Sequence, residues 1–151
     1  MYLDKELCLF QLEVKNQAEL FKVMSEQLVT NGCVKDSFLE GIINREKEFP
    51  TALEINQIGF AIPHTDSIHV NNSQICFASL KEPLVFYDMT NKEREIPVSL
   101  VFMLAMSQPH EQIDTLQNLV NLFQNQERVQ ELLSCTTKEQ FIEIVHSAGV
   151  Y

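Results

Sequence analysis

The run from Pro97 to Met106, Pro-Val-Ser-Leu-Val-Phe-Met-Leu-Ala-Met, constrains this chain more than any other feature. A strand with one wet face alternates apolar and polar residues, and this segment does not alternate. It reads as a central strand covered on both faces. Its β-branched and aromatic content favours strand over buried helix, although periodicity alone does not separate the two. The run is far shorter than the roughly 18–20 apolar residues of a membrane span. Its cover must therefore come from the chain itself, and 151 residues with 45% apolar content can supply it.

The flanking sequence provides amphipathic partners. Cys8, Phe10, Leu12 and Val14 alternate with more polar neighbours, the pattern of a half-buried strand. Asn16, with Glu19 three residues on, opens a helix carrying Leu20, Phe21, Met24 and Leu28, which should stop near Gly32. A second helix starts at Asp36 or Ser37, buries Phe38, Ile42 and Ile43, and must end before Pro50. Ile58–Ile62, Ile75–Leu80 and Leu84–Tyr87 read as short strands, and the polar stretch Asp88–Glu95 reads as a turn. After Pro109, the residues Ile113, Leu116, Leu119, Val120 and Phe123 follow the spacing of one helical face. A short helix through Val129, Leu132 and Leu133 follows, then a last one capped by Thr137 and Gln140 and carrying Phe141, Ile144 and Val145. Two helices, several strands and three helices predict an α/β sandwich, a single domain over 1–151 with a mixed sheet. The order is not the βαβ alternation of a doubly wound fold.

Charge and cysteine usage narrow the function classes. Eleven Lys and Arg against 21 Asp and Glu leave a net charge of −10. Such a surface repels nucleic acid and anionic membranes, so neither is expected as a partner. Met1–Glu6 lacks the basic-then-apolar order of a secretory signal, and no stretch suits membrane insertion. Cys8, Cys33, Cys76 and Cys135 are widely spaced, as expected for reduced, packed thiols in a cytoplasmic protein.

The chemistry concentrates at Gly59-Phe60-Ala61-Ile62-Pro63-His64-Thr65-Asp66. An apolar strand stops at a proline of fixed φ, and a histidine follows at the rim. At the reference pKa an imidazole is roughly three-quarters neutral at pH 7 and can act as a nucleophile. Read alone, the same histidine could merely hydrogen-bond its own loop. His64, Asp66 and His69 offer ligand types suited to zinc, but their spacing matches no common signature, so no metal is expected. Nor does any glycine-rich phosphate loop or nucleophile elbow appear, and no cofactor is expected.

Three segments together carry a resemblance. Asn44–Glu54 (NREKEFPTALE), Ile58–Asp66 (IGFAIPHTD) and Gln112–Phe123 (QIDTLQNLVNLF) resemble the IIA components of the sugar phosphotransferase system, in the fructose/mannitol superfamily and most nearly the galactitol type. The likeness runs from about residue 3 to about residue 146. It implies a mixed, about five-stranded sheet flanked by helices on both faces. It further implies that His64 is transiently phosphorylated on Nε2, that the histidine phosphocarrier protein supplies the phosphoryl group, and that a cysteine of a IIB component receives it. Arg45 matches the family's arginine beside that histidine, and its planar, permanently charged fork suits phosphate. Taken alone, Arg45 could simply pair with Glu46 or Glu48. Thr65 could add a hydroxyl.

The chain departs from many relatives at one point. Where they carry a second histidine at the head of the helix after the central strand, alignment puts Gln112, a substitution the galactitol type tolerates. His110 lies two residues earlier, about 200° away if the helix has already begun. The sequence stops at Tyr151 without IIB or IIC segments, so separate IIB and membrane IIC partners are expected. Two rivals stand beside a phosphocarrier of carbohydrate uptake: a IIA-like regulatory module whose phosphorylation is read by a partner protein, and a metal-dependent hydrolase built on His64, Asp66 and His69.

Overall fold

The computed structural model describes residues 1–151. Strand β1 (Cys8–Leu12) leads into helices α1 (Gln17–Thr30) and α2 (Phe38–Glu48). Strands β2 (Ala52–Ile55), β3 (Ile58–Ala61), β4 (Gln74–Asp88) and β5 (Asn91–Ala105) follow. Helices α3 (Pro109–Phe123), α4 (Gln126–Ser134) and α5 (Lys138–His146) close the chain. The five strands form one mixed sheet. β1 runs parallel to β4 and β3 parallel to β5, whereas β2–β3 and β4–β5 are antiparallel hairpins. A single parallel pairing, Ala52 with Asp88, ties β2 back to β4.

The apolar run behaves as its composition requires. Val101, Met103 and Ala105 face a core shared with Leu20, Phe21, Met24, Phe38 and Ile42 of α1 and α2. Leu100, Phe102, Leu104 and Met106 face the opposite core, with Leu119, Phe123, Leu132 and Phe141 of α3, α4 and α5. Stacked and tilted rings of Phe60, Phe77, Phe102, Phe123 and Phe141 fill that second layer.

The expected helix signals are present. The Asn16 side chain accepts from the Glu19 amide, Gly32 turns with φ +73°, and the Thr137 hydroxyl accepts from the Gln140 amide. Three expectations need correction. Ile75–Leu80 and Leu84–Tyr87 are one long strand, β4, interrupted by a register shift where Lys81-Glu82-Pro83 intervene; a proline inside a strand belongs at such an irregularity. Most of Asp88–Glu95 is strand as well, with only Met89 and Thr90 in the turn. These residues form a two-stranded ribbon reaching into solvent, so no apolar pattern marks them. Lastly, Ile113 is 65% exposed, and Thr115 takes the inward position instead.

Gly59 marks the tightest approach in the sheet. A Cβ there would lie 2.0 Å from the Pro97 carbonyl oxygen, a backbone atom that cannot rotate away. Gly59→Ala should therefore push β3 off β5 and cost at least the roughly 1–3 kcal/mol of an overpacked core. Urea denaturation should show this as a lower midpoint at unchanged slope.

Candidate functional site

Strand β3 enters the protein beside β5 and stops at Pro63. The Pro63 carbonyl accepts from the Leu104 amide at 2.9 Å, and His64 forms an isolated parallel bridge with Leu104. The histidine is thus half-buried and anchored to the end of the central strand, rather than riding on a free loop.

Its ring is oriented by its own neighbourhood. Nδ1 lies 2.7 Å from the Ile62 carbonyl oxygen, which can only accept, so Nδ1 carries the proton. The neutral ring then presents an unprotonated Nε2. Burial pushes the pKa below the ordinary histidine value. The bond to Ile62 opposes this, the positive charge of Arg45 reinforces it, and Asp66 opposes it. Burial therefore favours the neutral imidazole, with Nε2 as the ring nitrogen that carries no proton.

Arg45 comes from the last turn of α2. Its guanidinium lies over the Phe49 ring at 4.6 Å and stands 3.9 Å from the Asp66 carboxylate, a long and solvent-exposed pairing. Its Nε is buried without a hydrogen-bond partner. A buried cationic donor without an acceptor is costly, and the residue types and geometry suit an incoming anion.

The neighbouring Glu46 points the other way. It is 5% exposed, and its two oxygens accept the Thr51 amide and the Thr51 hydroxyl, each at 2.8 Å. The Thr51 hydroxyl oxygen in turn accepts from the Ile62 amide at 3.2 Å. Burial pushes the Glu46 carboxyl up to about 7, against the two Thr51 bonds, which hold it down. The pairing of Arg45 with Glu46 that the sequence alone allowed does not occur. In the sequence Glu46 stands out only as a possible partner of Arg45 and Thr51 only as part of a motif, and nothing in their spacing marks them as joined to Ile62.

The remaining candidates are placed as follows. Thr65 is buried, and its hydroxyl packs where a Cβ on Gly41 would lie 2.9 Å away. Helix α3 begins at Pro109, so His110 and Gln112 already sit on helix, about 200° apart. His110 is exposed and Gln112 half-buried. The helix is held by Glu111, whose carboxylate accepts from Ser73, Tyr2, Ser107 and the Gln108 amide. His64, Asp66 and His69 do not gather. His69 Nδ1 meets the Ser37 hydroxyl at 2.8 Å, Asp66 faces Arg45, and no group of three His, Cys, Asp or Glu is arranged to hold a metal ion.

A model of the family "Phosphoenolpyruvate-dependent sugar phosphotransferase system, EIIA 2" matches residues 1–148. The chain belongs to this family. The galactitol-specific EIIA component of Escherichia coli K12 is 28% identical over 133 residues, covering 86% of this chain and 88% of that protein. The mannitol-specific enzyme IIA component of Mycoplasma pneumoniae is 29% identical over 134 residues, 88% and 87% of the two chains. The structure of Escherichia coli enzyme IIA for mannitol, solved in complex with phosphorylated enzyme IIB, shares the fold with a TM-score of 0.76 at 20% identity, covering 94% and 95%. EIIA components are phosphotransferase proteins that carry a phosphoryl group between partners, and this chain is one of them. No helix is long and apolar enough to cross a membrane.

Titration of His64 by NMR tests the electrostatics of the site. Its pKa should fall below 6.5, rise in Arg45→Ala, and fall further in Asp66→Asn. An ordinary value insensitive to both substitutions would contradict this account.

Proposed function

We propose that His64 is the phosphoryl acceptor and that Nε2 is the reacting atom. The observation that carries this reading is the hydrogen bond from Nδ1 to the Ile62 carbonyl, which leaves the Nε2 lone pair free. In the forward step Nε2 attacks the phosphorus of the phosphohistidine on the histidine phosphocarrier protein. The donor's P–N bond breaks, a P–N bond to His64 forms, and the Nδ1 proton stays in place. In the second step a cysteine thiolate of IIB attacks the same phosphorus, and His64 leaves as a neutral imidazole.

Phosphoryl transfer asks the protein mainly for positioning and charge stabilisation. Arg45 is suited to the second task, because its buried Nε lacks an acceptor and its exposed pairing with Asp66 is worth little. Gln112 supplies an amide that can donate to the phosphoryl oxygens, in the place where many relatives carry a histidine. We assign Thr65 to the same loop, contributing its hydroxyl or the fit against Gly41 that fixes the loop. The protein works in the cytoplasm, with a separate IIB component and a membrane IIC component. Its carbohydrate is galactitol or a related polyol or sugar, a reading supported by the galactitol-specific relative and by Gln112.

Incubation with phosphoenolpyruvate and the general phosphotransfer proteins, followed by mass mapping, tests the acceptor. His64→Ala should fold, as circular dichroism would show, and accept nothing. Stoichiometric labelling of that variant at His69 or His110 would overturn the assignment. Arg45→Lys keeps the charge but loses the fork, so transfer should slow in it and slow further in Arg45→Ala. Wild-type rates in both would reduce Arg45 to a surface residue.

Gln112→Ala should slow transfer or shorten the phosphohistidine lifetime by roughly 2- to 100-fold, the range spanned by a neutral to a charge-assisted hydrogen bond. His110→Ala should do much less. A large loss in His110→Ala with none in Gln112→Ala would exchange their roles.

A further inference from the structure

Glu46 reaches the nucleophile without touching it. The path runs from its carboxylate to Thr51, from the Thr51 hydroxyl oxygen to the Ile62 amide, and from the Ile62 carbonyl to His64 Nδ1. Each joint has one sensible polarity. The Ile62 amide donates to the Thr51 oxygen, and the Thr51 hydroxyl donates to Glu46. The Ile62 carbonyl accepts, so the proton between it and His64 sits on Nδ1.

Ile62 is the pivot. Its amide is tethered to Thr51, its side chain is buried in the core beneath α3–α5, and Pro63 restricts its ψ to the extended range. With its amide end, side chain and ψ constrained, the carbonyl has little choice of direction. Core packing and the Leu104 bond to Pro63 hold the segment from one side, and Thr51, itself held at both its amide and its hydroxyl by Glu46, supplies the side-chain tether to the Ile62 amide. A buried carboxylate spent wholly on one threonine is a costly arrangement for a merely structural loop.

We propose that Glu46 and Thr51 are positioning residues that select the reactive nitrogen of His64, by aiming the Ile62 carbonyl that holds the proton on Nδ1. The inference rests on His64 being the phosphoryl acceptor. It extends that reading by assigning work to two residues that contact neither the phosphoryl group nor the imidazole.

The test combines nitrogen-15 imidazole spectra of the full chain with phosphoryl transfer rates, in wild type, Thr51→Val, Thr51→Ser and Glu46→Gln. Wild type should show His64 protonated on Nδ1 with Nε2 bare. Thr51→Val retains the shape but neither hydroxyl bond, and Glu46→Gln cannot accept from both Thr51 groups. Both should show a mixture of tautomers, with transfer slower by about 3- to 10-fold, the worth of one net hydrogen bond. Thr51→Ser should restore the wild-type tautomer and come within about 2-fold of its rate, since the hydroxyl chain is kept.

Thr51→Val that folds with the tautomer unchanged, whether or not transfer slows, overturns the proposal. If Thr51→Val does not fold, Glu46→Gln is judged by the same criterion. A protonated Nε2 on His64 in the wild-type spectrum overturns it without any variant. The tautomer is read in the absence of phosphoryl donor. A wild-type chain that shows the expected tautomer response but accepts no phosphoryl group would therefore refute the acceptor role and leave the positioning chain standing.

Discussion

Everything at the site depends on the burial of β5 on both faces. The strand carries core residues for both layers, so its position is fixed by two sets of helices at once. Removing one large side chain from such a strand typically costs 2–5 kcal/mol, a large part of the 5–15 kcal/mol that holds a domain together. Pro63 and His64 are fastened to Leu104 near the end of this strand, and α3 begins four residues after Ala105. His64 and the helix head bearing Gln112 thus share one rigid support.

The electrostatics around that support differ from those of the chain as a whole. A chain of net charge −10 is a poor general host for a phosphoryl group. Locally, however, burial disfavours the His64 cation, and the positive charge of Arg45 disfavours it further. Asp66 draws on Arg45 only across a long, wet contact of 3.9 Å, a pairing worth little.

Legibility in the sequence followed the range of the interaction. The caps at Asn16 and Thr137 and the turn at Gly32 could be read because each is settled within a few residues. β2 carries no sequence signal because its hairpin turns through Asn56 and Gln57, both at positive φ, without the glycine that usually marks such a turn. The tip of the β4–β5 ribbon reads as a turn because Met89–Glu95, exposed throughout, carry no apolar period. Ile113 fits the helical spacing but lies on the outer side of α3, while Thr115 in the same turn faces inward, because the packed stripe follows the helix position and not residue type.

By itself the sequence determined the class of fold and the chemical types at the site. A doubly buried strand needs two helical layers, a proline stops the strand before His64, and the joint pattern around Arg45 and His64 resembles one family. The tertiary structure decided the rest. It alone turned Glu46 inward and away from Arg45, joined it to Ile62 through Thr51, left the Arg45 Nε without an acceptor, and set His110 and Gln112 on different sides of α3. The reason is physical. Residue type and local φ preference act over a few bonds and are written in the chain. Which nitrogen of His64 is free depends on the direction of one carbonyl, and that direction is set by contacts with strands and helices distant in sequence.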